Sequence, residues 1–209
     1  MDDRSRHGAR QPHRFDPRRA GVLDDAERFA YLPPAEIVAL LDLPRNAALV
    51  DFGTGTATYA LEIARARNDV RVYALDEQEA MLERARAKIA ASGLANVEAV
   101  GPGAMERLRG TVDRVLALNV LHELGDDALR ELRALLSAGG AALFVDWDAA
   151  ADRPVGPPRD HVYDAAAASE RLNVGGFSVS AADARFRYHY ALIARTAPPA
   201  HAGDVAARR

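Results

Sequence analysis

Short apolar runs alternate with segments of helical periodicity through most of this chain, and that alternation constrains the fold more than any other feature. Runs typical of buried strands cover residues 47–52, 70–75, 97–100, 112–118 and 141–145. Helical spacing of apolar residues is found over residues 57–67, 77–91, 126–137 and 163–172. Because strands joined by helical crossovers run parallel and connect with a right-handed turn, the pattern predicts a parallel sheet covered on both faces.

The two ends of the predicted domain depart from this alternation. Residues 177–180 and 184–195 have strand character, but the link between them is too short for a crossover helix, so they are predicted to pair as an antiparallel hairpin. Helical spacing over residues 24–41 is broken at Pro33 and Pro34, which predicts two short helices. The predicted fold is therefore α/β: a Rossmann-like, doubly wound, seven-stranded sheet, mostly parallel, with a C-terminal antiparallel β-hairpin and an N-terminal helical cover.

The composition is that of one ordinary globular domain. The chain has 209 residues, of which 49% are hydrophobic and 27% charged, and this is enough for a full core. We expect a single domain over residues 20–195, a flexible basic leader over residues 1–19 and a flexible tail over residues 196–209.

Several classes of protein are excluded or disfavoured by the same counts. The absence of cysteine excludes a thiolate metal centre and a cysteine nucleophile. No apolar run approaches the roughly 18 residues of a membrane span, and the N-terminus lacks the apolar stretch of a signal peptide, so a cytoplasmic location is predicted. A net charge of −3 gives no electrostatic footprint for nucleic acid, and no His, Asp or Glu spacing indicates a metal site.

A glycine-rich loop, Asp51-Phe-Gly-Thr-Gly-Thr-Ala-Thr58, follows the first predicted strand. Gly53 and Gly55 allow a tight turn and a close approach of the backbone to a ligand. Asp76 ends the second strand, where a carboxylate can accept hydrogen bonds from two ribose hydroxyls. A dinucleotide fingerprint would have its third glycine at position 58, which is Thr58 here, whereas Asp51 is placed to face a positive ligand group.

At these residues the chain resembles the class I S-adenosylmethionine-dependent methyltransferases, in particular their small-molecule type. The matching motifs are Val50 to Ala57, Val72 to Asp76, Val112 to His122, and Gly139-Gly140 before the fifth strand. The resemblance implies methyl transfer from S-adenosyl-L-methionine to a small-molecule acceptor, with S-adenosyl-L-homocysteine as product. It also implies a set of cofactor-binding residues: Asp51, Phe52, Gly53, Thr54, Gly55, Asp76, Glu77, Ala104 and Asn119.

One departure from the family concerns the adenine ring. Many relatives have an Asp followed by Ala after the third strand, and that acid binds the adenine amino group. Gly103 stands at the acid's position in this chain. The resemblance then implies that adenine rests on backbone groups near Ala104 and Met105.

His122, just past the fourth predicted strand and next to Glu123, is the candidate catalytic residue. It is interpreted either as a general base that deprotonates or orients the acceptor, or as a residue that caps or packs the following helix. Trp147 is interpreted either as lining the acceptor pocket or as packing in the core. His189 is interpreted as a residue that packs on the edge strand. An NAD(P)-dependent Rossmann oxidoreductase and a cofactor-binding protein without catalysis are the alternative functions; the acceptor and the oligomeric state are not indicated.

Overall fold

The computed structural model describes residues 14–196, and every structural statement below concerns that part of the chain. A central sheet is formed by seven strands: β1 Ala48–Phe52, β2 Arg71–Leu75, β3 Val97–Val100, β4 Val112–Leu118, β5 Leu136–Trp147, β6 Phe177–Ala181 and β7 His189–Thr196. Their order is β3-β2-β1-β4-β5-β7-β6. The first five strands pair in parallel, whereas β7 is antiparallel to both β5 and β6. The predicted Rossmann-like sheet with a C-terminal hairpin is confirmed.

Helices cover both faces of this sheet. Between residues 14 and 196 they are α1 Arg28–Tyr31, α2 Pro34–Leu41, α3 Thr58–Ala66, α4 Glu79–Ser92, α5 Met105–Leu108, α6 Asp126–Leu135 and α7 Ala165–Val174. Ile37 of α2 and Ile63 of α3 share one buried cluster with Leu49, while Leu132 of α6 shares a second cluster with Val50. Leu49 and Val50 are neighbours on β1, and successive strand side chains point to opposite faces, so the two clusters are the two sides of a doubly wound sheet. None of these helices is long and apolar enough to cross a membrane.

Two strand boundaries differ from the prediction. β5 begins at Leu136, which pairs with Val112, and the register then shifts opposite Val112 to Arg114. Gly139 and Gly140, which were predicted to precede the fifth strand, therefore lie inside it. A Cβ at Gly140 would come within 2.9 Å of the Val112 carbonyl oxygen. Glycine within a strand at such an irregularity is typical of a β-bulge. β7 begins at His189, so residues 184–188 precede the strand.

The N-terminal strap, residues 14–24, lies across the carboxyl ends of the strands. Most of it is a 3-10 helix, Pro17–Asp24. The Phe15 N–H donates to Glu123 Oε2 at 3.0 Å, and the Phe15 carbonyl oxygen accepts from Gln78 Nε2 at 3.2 Å. Residues 14–19, predicted as part of a flexible leader, are thus placed against the domain. The boundaries expected at residues 20 and 195 stay predictions, and residues 1–13 and 197–209 lie outside the described chain.

Candidate active site

The carboxyl ends of β1 and β4 lie side by side where the strand order reverses. β1 pairs with β2 on one side and with β4 on the other, and β2 and β3 extend the sheet in one direction while β5 extends it in the other. In open α/β sheets a ligand crevice forms outside such a point. The glycine loop follows β1 here and Asn119 follows β4, so both flank the crevice.

The glycine loop has a backbone that needs its glycines. Gly53 and Gly55 have φ angles of 73° and 58°, in the left-handed region that residues with a side chain rarely adopt. The N–H groups of Gly53 and Thr54 both donate to the Leu75 carbonyl oxygen, at 2.8 and 2.9 Å. A Cβ at Gly53 would lie 2.7 Å from Val120 Cγ2. The loop is therefore fixed between the ends of β2 and β4, with no space for a side chain at Gly53.

The N-terminal strap packs on the same loop. A Cβ at Gly55 would lie 2.8 Å from Leu23 Cδ1, so the Leu23 side chain touches the loop backbone. Asp24 Oδ1 accepts hydrogen bonds from Thr56 Oγ1 at 2.5 Å, from Thr58 Oγ1 at 2.7 Å and from Lys88 Nζ at 2.6 Å. The strap is thus joined to the glycine loop, to the start of α3 and to α4.

Two buried carboxylates adjoin the loop. Asp51 is 3% exposed and accepts a 2.6 Å hydrogen bond from Thr54 Oγ1. Burial raises the pKa of Asp51 to about 6, and the nearby charge of Asp76 also raises it. The hydrogen bond from the Thr54 hydroxyl acts in the opposite direction and lowers the pKa. Asp76 accepts the N–H of Gly55 at Oδ2 (2.8 Å) and the N–H of Gln78 at Oδ1 (2.9 Å). Burial also raises the pKa of Asp76, with these two N–H groups opposing it. A carboxylate has about four lone-pair positions, so each Asp76 oxygen can still accept a ligand hydroxyl.

The residues around this crevice fit S-adenosylmethionine. Asn119 Oδ1 is buried and has no hydrogen-bond partner among residues 14–196. A buried acceptor left unpaired costs about 1–3 kcal/mol, so the position suits a ligand donor. Asp51 and Asp76 make the crevice acidic, which complements a ligand that carries sulfonium and ammonium charges. The cofactor implied by the sequence therefore agrees with three features: the backbone of the glycine loop, the Asp76 carboxylate and the unpaired Asn119 Oδ1.

The remaining predicted cofactor residues lie at the margin of the crevice. Phe52 is buried in the core, and Glu77 is exposed and forms an ion pair with Arg14, 3.0 Å between Oε1 and Nε. Ala104 ends a short 3-10 helix, and a Cβ at Gly103 would meet no atom of the described chain within 4 Å. Their contacts with the cofactor stay predictions.

His122 and Asp146 meet beyond the end of β4. His122 lies in a 3-10 turn, Leu121–Glu123, and its Nδ1 is 2.9 Å from Oδ1 of Asp146, a fully buried residue of β5. Asp146 also accepts the backbone N–H groups of His122 at 3.1 Å and Trp147 at 2.7 Å. Burial lowers the pKa of His122, but the charge and hydrogen bond of Asp146, with Glu123, outweigh it and leave the pKa raised. The other ring nitrogen, Nε2, lies 3.7 Å from Glu123 Oε1.

A second group of side chains, which includes Trp147 and His189, lies next to this pair. His189 is 4.1 Å from Trp147 and stacks on Tyr31 at 5.8 Å, measured between ring centroids. Neither ring nitrogen of His189 has a hydrogen-bond partner in the part of the chain that the structure describes. Burial lowers the pKa of His189 to about 3, so the ring is neutral. The Arg153 guanidinium lies 5.2 Å from the Trp147 ring centroid. The Trp147 to His189 pairing depends on the register of β5 and β7, which the sequence does not reveal.

Across residues 14–196, no group of three or more His, Cys, Asp or Glu side chains is arranged to hold a metal ion.

Comparison with known proteins agrees with this geometry. The model of a methyltransferase domain family matches residues 49–140. The solved structure of a SAM-dependent methyltransferase from Aquifex aeolicus is 27% identical, covers 87% of this chain and 98% of its own, and has a TM-score of 0.78. An O-methyltransferase from neocarzinostatin biosynthesis, solved with S-adenosyl-L-homocysteine and 1,4-dihydroxy-2-naphthoic acid, shares the fold at 20% identity, with a TM-score of 0.69 over 87% of this chain and 59% of its own.

A curated relative, the release factor glutamine methyltransferase of Mycolicibacterium smegmatis, is 35% identical over 95 residues. The match covers 42% of this chain and 34% of the relative, so the chain spans about a third of that protein's length. The sheet with its terminal hairpin defines a Rossmann-like α/β protein, with the buried acids Asp51 and Asp76 next to the strand reversal. Residues 49–140 are similar to a methyltransferase domain, and the fold is similar to that of S-adenosylmethionine-dependent methyltransferases.

Proposed function

We propose that this protein transfers the methyl group of S-adenosylmethionine to a small-molecule acceptor, and that His122 is its general base. The observation that carries the proposal is the position of the His122 and Asp146 pair at the carboxyl edge of β4 and β5, directly beside the glycine loop of β1. When bound, the cofactor supplies a methyl group on a sulfonium, which reacts with a nucleophile that approaches in line.

The proposed role of His122 is to hold the proton that a hydroxyl or amino acceptor loses. Asp146 fixes the ring through Nδ1 and stabilises the imidazolium that forms, while Nε2 faces the acceptor. The N-terminal strap and the helical cover exclude water from this edge of the sheet and hold the reactants together. A base is useful only for acceptors that carry a proton, so O- and N-methylation fit the pair best.

The proposed cofactor contacts divide by chemistry. Asp76 holds the ribose hydroxyls, and Asp51 and Asn119 face the positively charged and donor groups of the methionine part. Gly53, Thr54 and Gly55 contact the cofactor through their backbone. Phe52, Glu77 and Ala104 border the adenosine.

The small acceptor is proposed from the covered site. The strap and the cluster of Tyr31, Trp147 and His189 close over the edge of the sheet near His122, which favours a ligand that can be enclosed. Asn119-Val-Leu-His122 also lacks the Asn-Pro-Pro-aromatic sequence with which related enzymes methylate nucleic-acid amino groups. A cytoplasmic location and the absence of a nucleic-acid partner are retained as proposals on the same sequence grounds.

Calorimetric titration with S-adenosylhomocysteine and with NADH tests the cofactor assignment. We expect binding of the former only, and tighter binding of NADH would overturn the proposal. Asp76→Ala should weaken S-adenosylhomocysteine by about tenfold or more, because it removes charge-assisted acceptors. Asp76→Asn, which retains an acceptor for the Gly55 N–H, separates loss of the ligand contact from loss of the loop conformation.

Catalysis is tested by a screen of small molecules with isotopically labelled S-adenosylmethionine. Once an acceptor is found, His122→Ala should lower kcat by about 100-fold, the usual contribution of a general base, while S-adenosylhomocysteine still binds. Unchanged turnover in a folded variant would remove His122 from the mechanism. Cofactor binding with no methylated product from any acceptor would favour a cofactor-binding protein without catalysis.

A further inference from the structure

Arg153 presents one complete edge of its guanidinium with no partner. Nη1 donates to the Val155 carbonyl oxygen at 2.8 Å, but Nε and Nη2 are buried and have no hydrogen-bond partner within residues 14–196. Nε and Nη2 form the side edge of the guanidinium fork, whose two parallel N–H groups match the two oxygens of a carboxylate. Buried donors of a charged group are costly to leave unpaired, so this edge requires an explanation.

The neighbouring carboxylates do not supply the missing acceptor. Asp146 and Asp148 lie near enough for their charges to act on Arg153. Asp146, however, accepts hydrogen bonds from His122 and Trp147, and Asp148 Oδ1 accepts the Ala150 N–H at 2.8 Å. Within the described chain, neither is in hydrogen-bond or ion-pair contact with Arg153. Within residues 14–196, this buried edge therefore lacks an acceptor.

The position of Arg153 is fixed by its own loop. A Cβ at Gly156, which has a φ of 97°, would lie 2.6 Å from Arg153 Nη1 and 2.9 Å from Trp147 Cδ2. The loop backbone thus touches the guanidinium and the indole together, and glycine makes that approach possible. Residues 153–159 also line an open depression of about 310 Å³, so Arg153 lies between solvent-accessible space and the Trp147 ring.

Aromatic surface and the proposed base adjoin the free edge. Trp147, His189 and Tyr31 lie ring against ring beside Arg153, and His189 is neutral, so it does not compete for an anion. Arg153 is also close enough to His122 for its charge to act on that ring. A ligand held by the fork would have aromatic side chains beside it and the His122 base in the same neighbourhood.

We propose that Arg153 binds the carboxylate of an aromatic acceptor, a hydroxy- or aminoaryl carboxylic acid, whose ring packs on Trp147 and His189 and whose hydroxyl or amino group faces His122. This inference rests on the proposed function and names the substrate class of the same site. The methionyl carboxylate of the cofactor has the same chemistry, but the proposed cofactor site is at the glycine loop, which follows β1. Arg153 lies beyond the end of β5, two strands away from β1.

Binding measurements on the full chain, saturated with S-adenosylhomocysteine, test the inference. The probes are 2-, 3- and 4-hydroxybenzoate and the three matched hydroxybenzamides, which keep the ring and hydroxyl but lack the charge. We expect at least one hydroxybenzoate to bind about tenfold or more tightly than its amide, as befits a charge-assisted bidentate contact. Arg153→Gln should abolish that preference, and Arg153→Lys should retain only part of it, because an ammonium lacks the fork.

Arg159→Gln is the matched control, since Arg159 lies on the same loop but is exposed and already pairs with Asp152 at 2.9 Å. It should leave the carboxylate preference unchanged. Equal binding of acids and amides, no binding of either set, or the same preference in Arg153→Gln would each overturn the inference. A tenfold loss of S-adenosylhomocysteine affinity in Arg153→Lys would assign the fork to the cofactor and overturn it as well. If S-adenosylhomocysteine fails to bind the wild-type chain, it is the proposed function that fails, and the carboxylate preference is then read without cofactor.

Discussion

His122 and Asp146 are joined twice, once through the ring and once through the backbone: Nδ1 lies 2.9 Å from Oδ1, and the His122 N–H donates to Oδ2 at 3.1 Å. Because one carboxylate fixes both parts of the residue, the ring orientation is set by the end of β5 rather than by the turn that carries it.

The pair can be tested by titrating the imidazole with NMR. The pKa of His122 should lie above the ordinary 6.5. In Asp146→Asn it should fall below 6.5, because burial then acts almost unopposed. Glu123→Gln is the control and should lower the pKa of His122 less, because the charge of Glu123 raises that pKa less than Asp146 does. The raised pKa also means that His122 stabilises the fold below pH 6.5 and that this contribution is lost as the pH rises through its folded-state value. A His122 pKa that does not respond to Asp146→Asn would contradict the assigned coupling.

Asp51→Asn should stabilise the protein in the absence of ligand. The pKa of Asp51 is raised from 3.8 to about 6, so the folded state binds the proton more tightly than the unfolded chain, and stability is lost as the pH rises through about 6. A shift of about two units corresponds to about 3 kcal/mol, an upper value for the gain of the variant at neutral pH. Urea unfolding of both proteins between about pH 4 and pH 8 measures it. The same variant should bind S-adenosylhomocysteine more weakly, since the neutral amide attracts a cationic group less. A difference in stability that does not change with pH would argue against the raised pKa.

Gly103→Asp should tighten cofactor binding. The position has open space for a side chain, and its φ lies outside the left-handed region, so an aspartate fits without strain. Family resemblance places an adenine-binding acid here, and a hydrogen bond to a charged group contributes about 1.5–3 kcal/mol, or roughly a tenfold to hundredfold gain in affinity. Gly103→Ala controls for the loss of backbone freedom. Equal affinities for the aspartate and alanine variants would show that adenine lies elsewhere.

Gly53→Ala should destabilise the fold by about 2 kcal/mol or more, because alanine is strained at a φ of 73° and its Cβ overlaps Val120 Cγ2. Adding Val120→Ala removes the overlap but not the backbone strain. The double variant should therefore recover part of the loss, and a double-mutant cycle from urea unfolding gives the coupling. Additive effects of the two substitutions would mean that the loop relaxes away from Val120.

The fold was predictable because its signals are local. The apolar runs around Val50 and Val115 and the short link before β7 are enough to specify strand type and hairpin, and Gly53, Gly55 and Asp76 are recognisable by their spacing. The relation of His122 to Asp146 was not predictable, since it joins residues 24 positions apart through the pairing of β4 and β5. Arg153 was missed for a different reason: an arginine in a proline-rich loop looks solvated until its unpaired edge is seen.

The two backbone hydrogen bonds of Phe15 determine how the strap covers the sheet. Its N–H reaches Glu123 beyond β4 and its carbonyl reaches Gln78 beyond β2, so the chain passes over the end of β1, which lies between them. Lifting the strap away from this point would break both hydrogen bonds of the Phe15 backbone. Substitutions at Glu123 and Gln78 would therefore loosen the strap where it covers the end of β1.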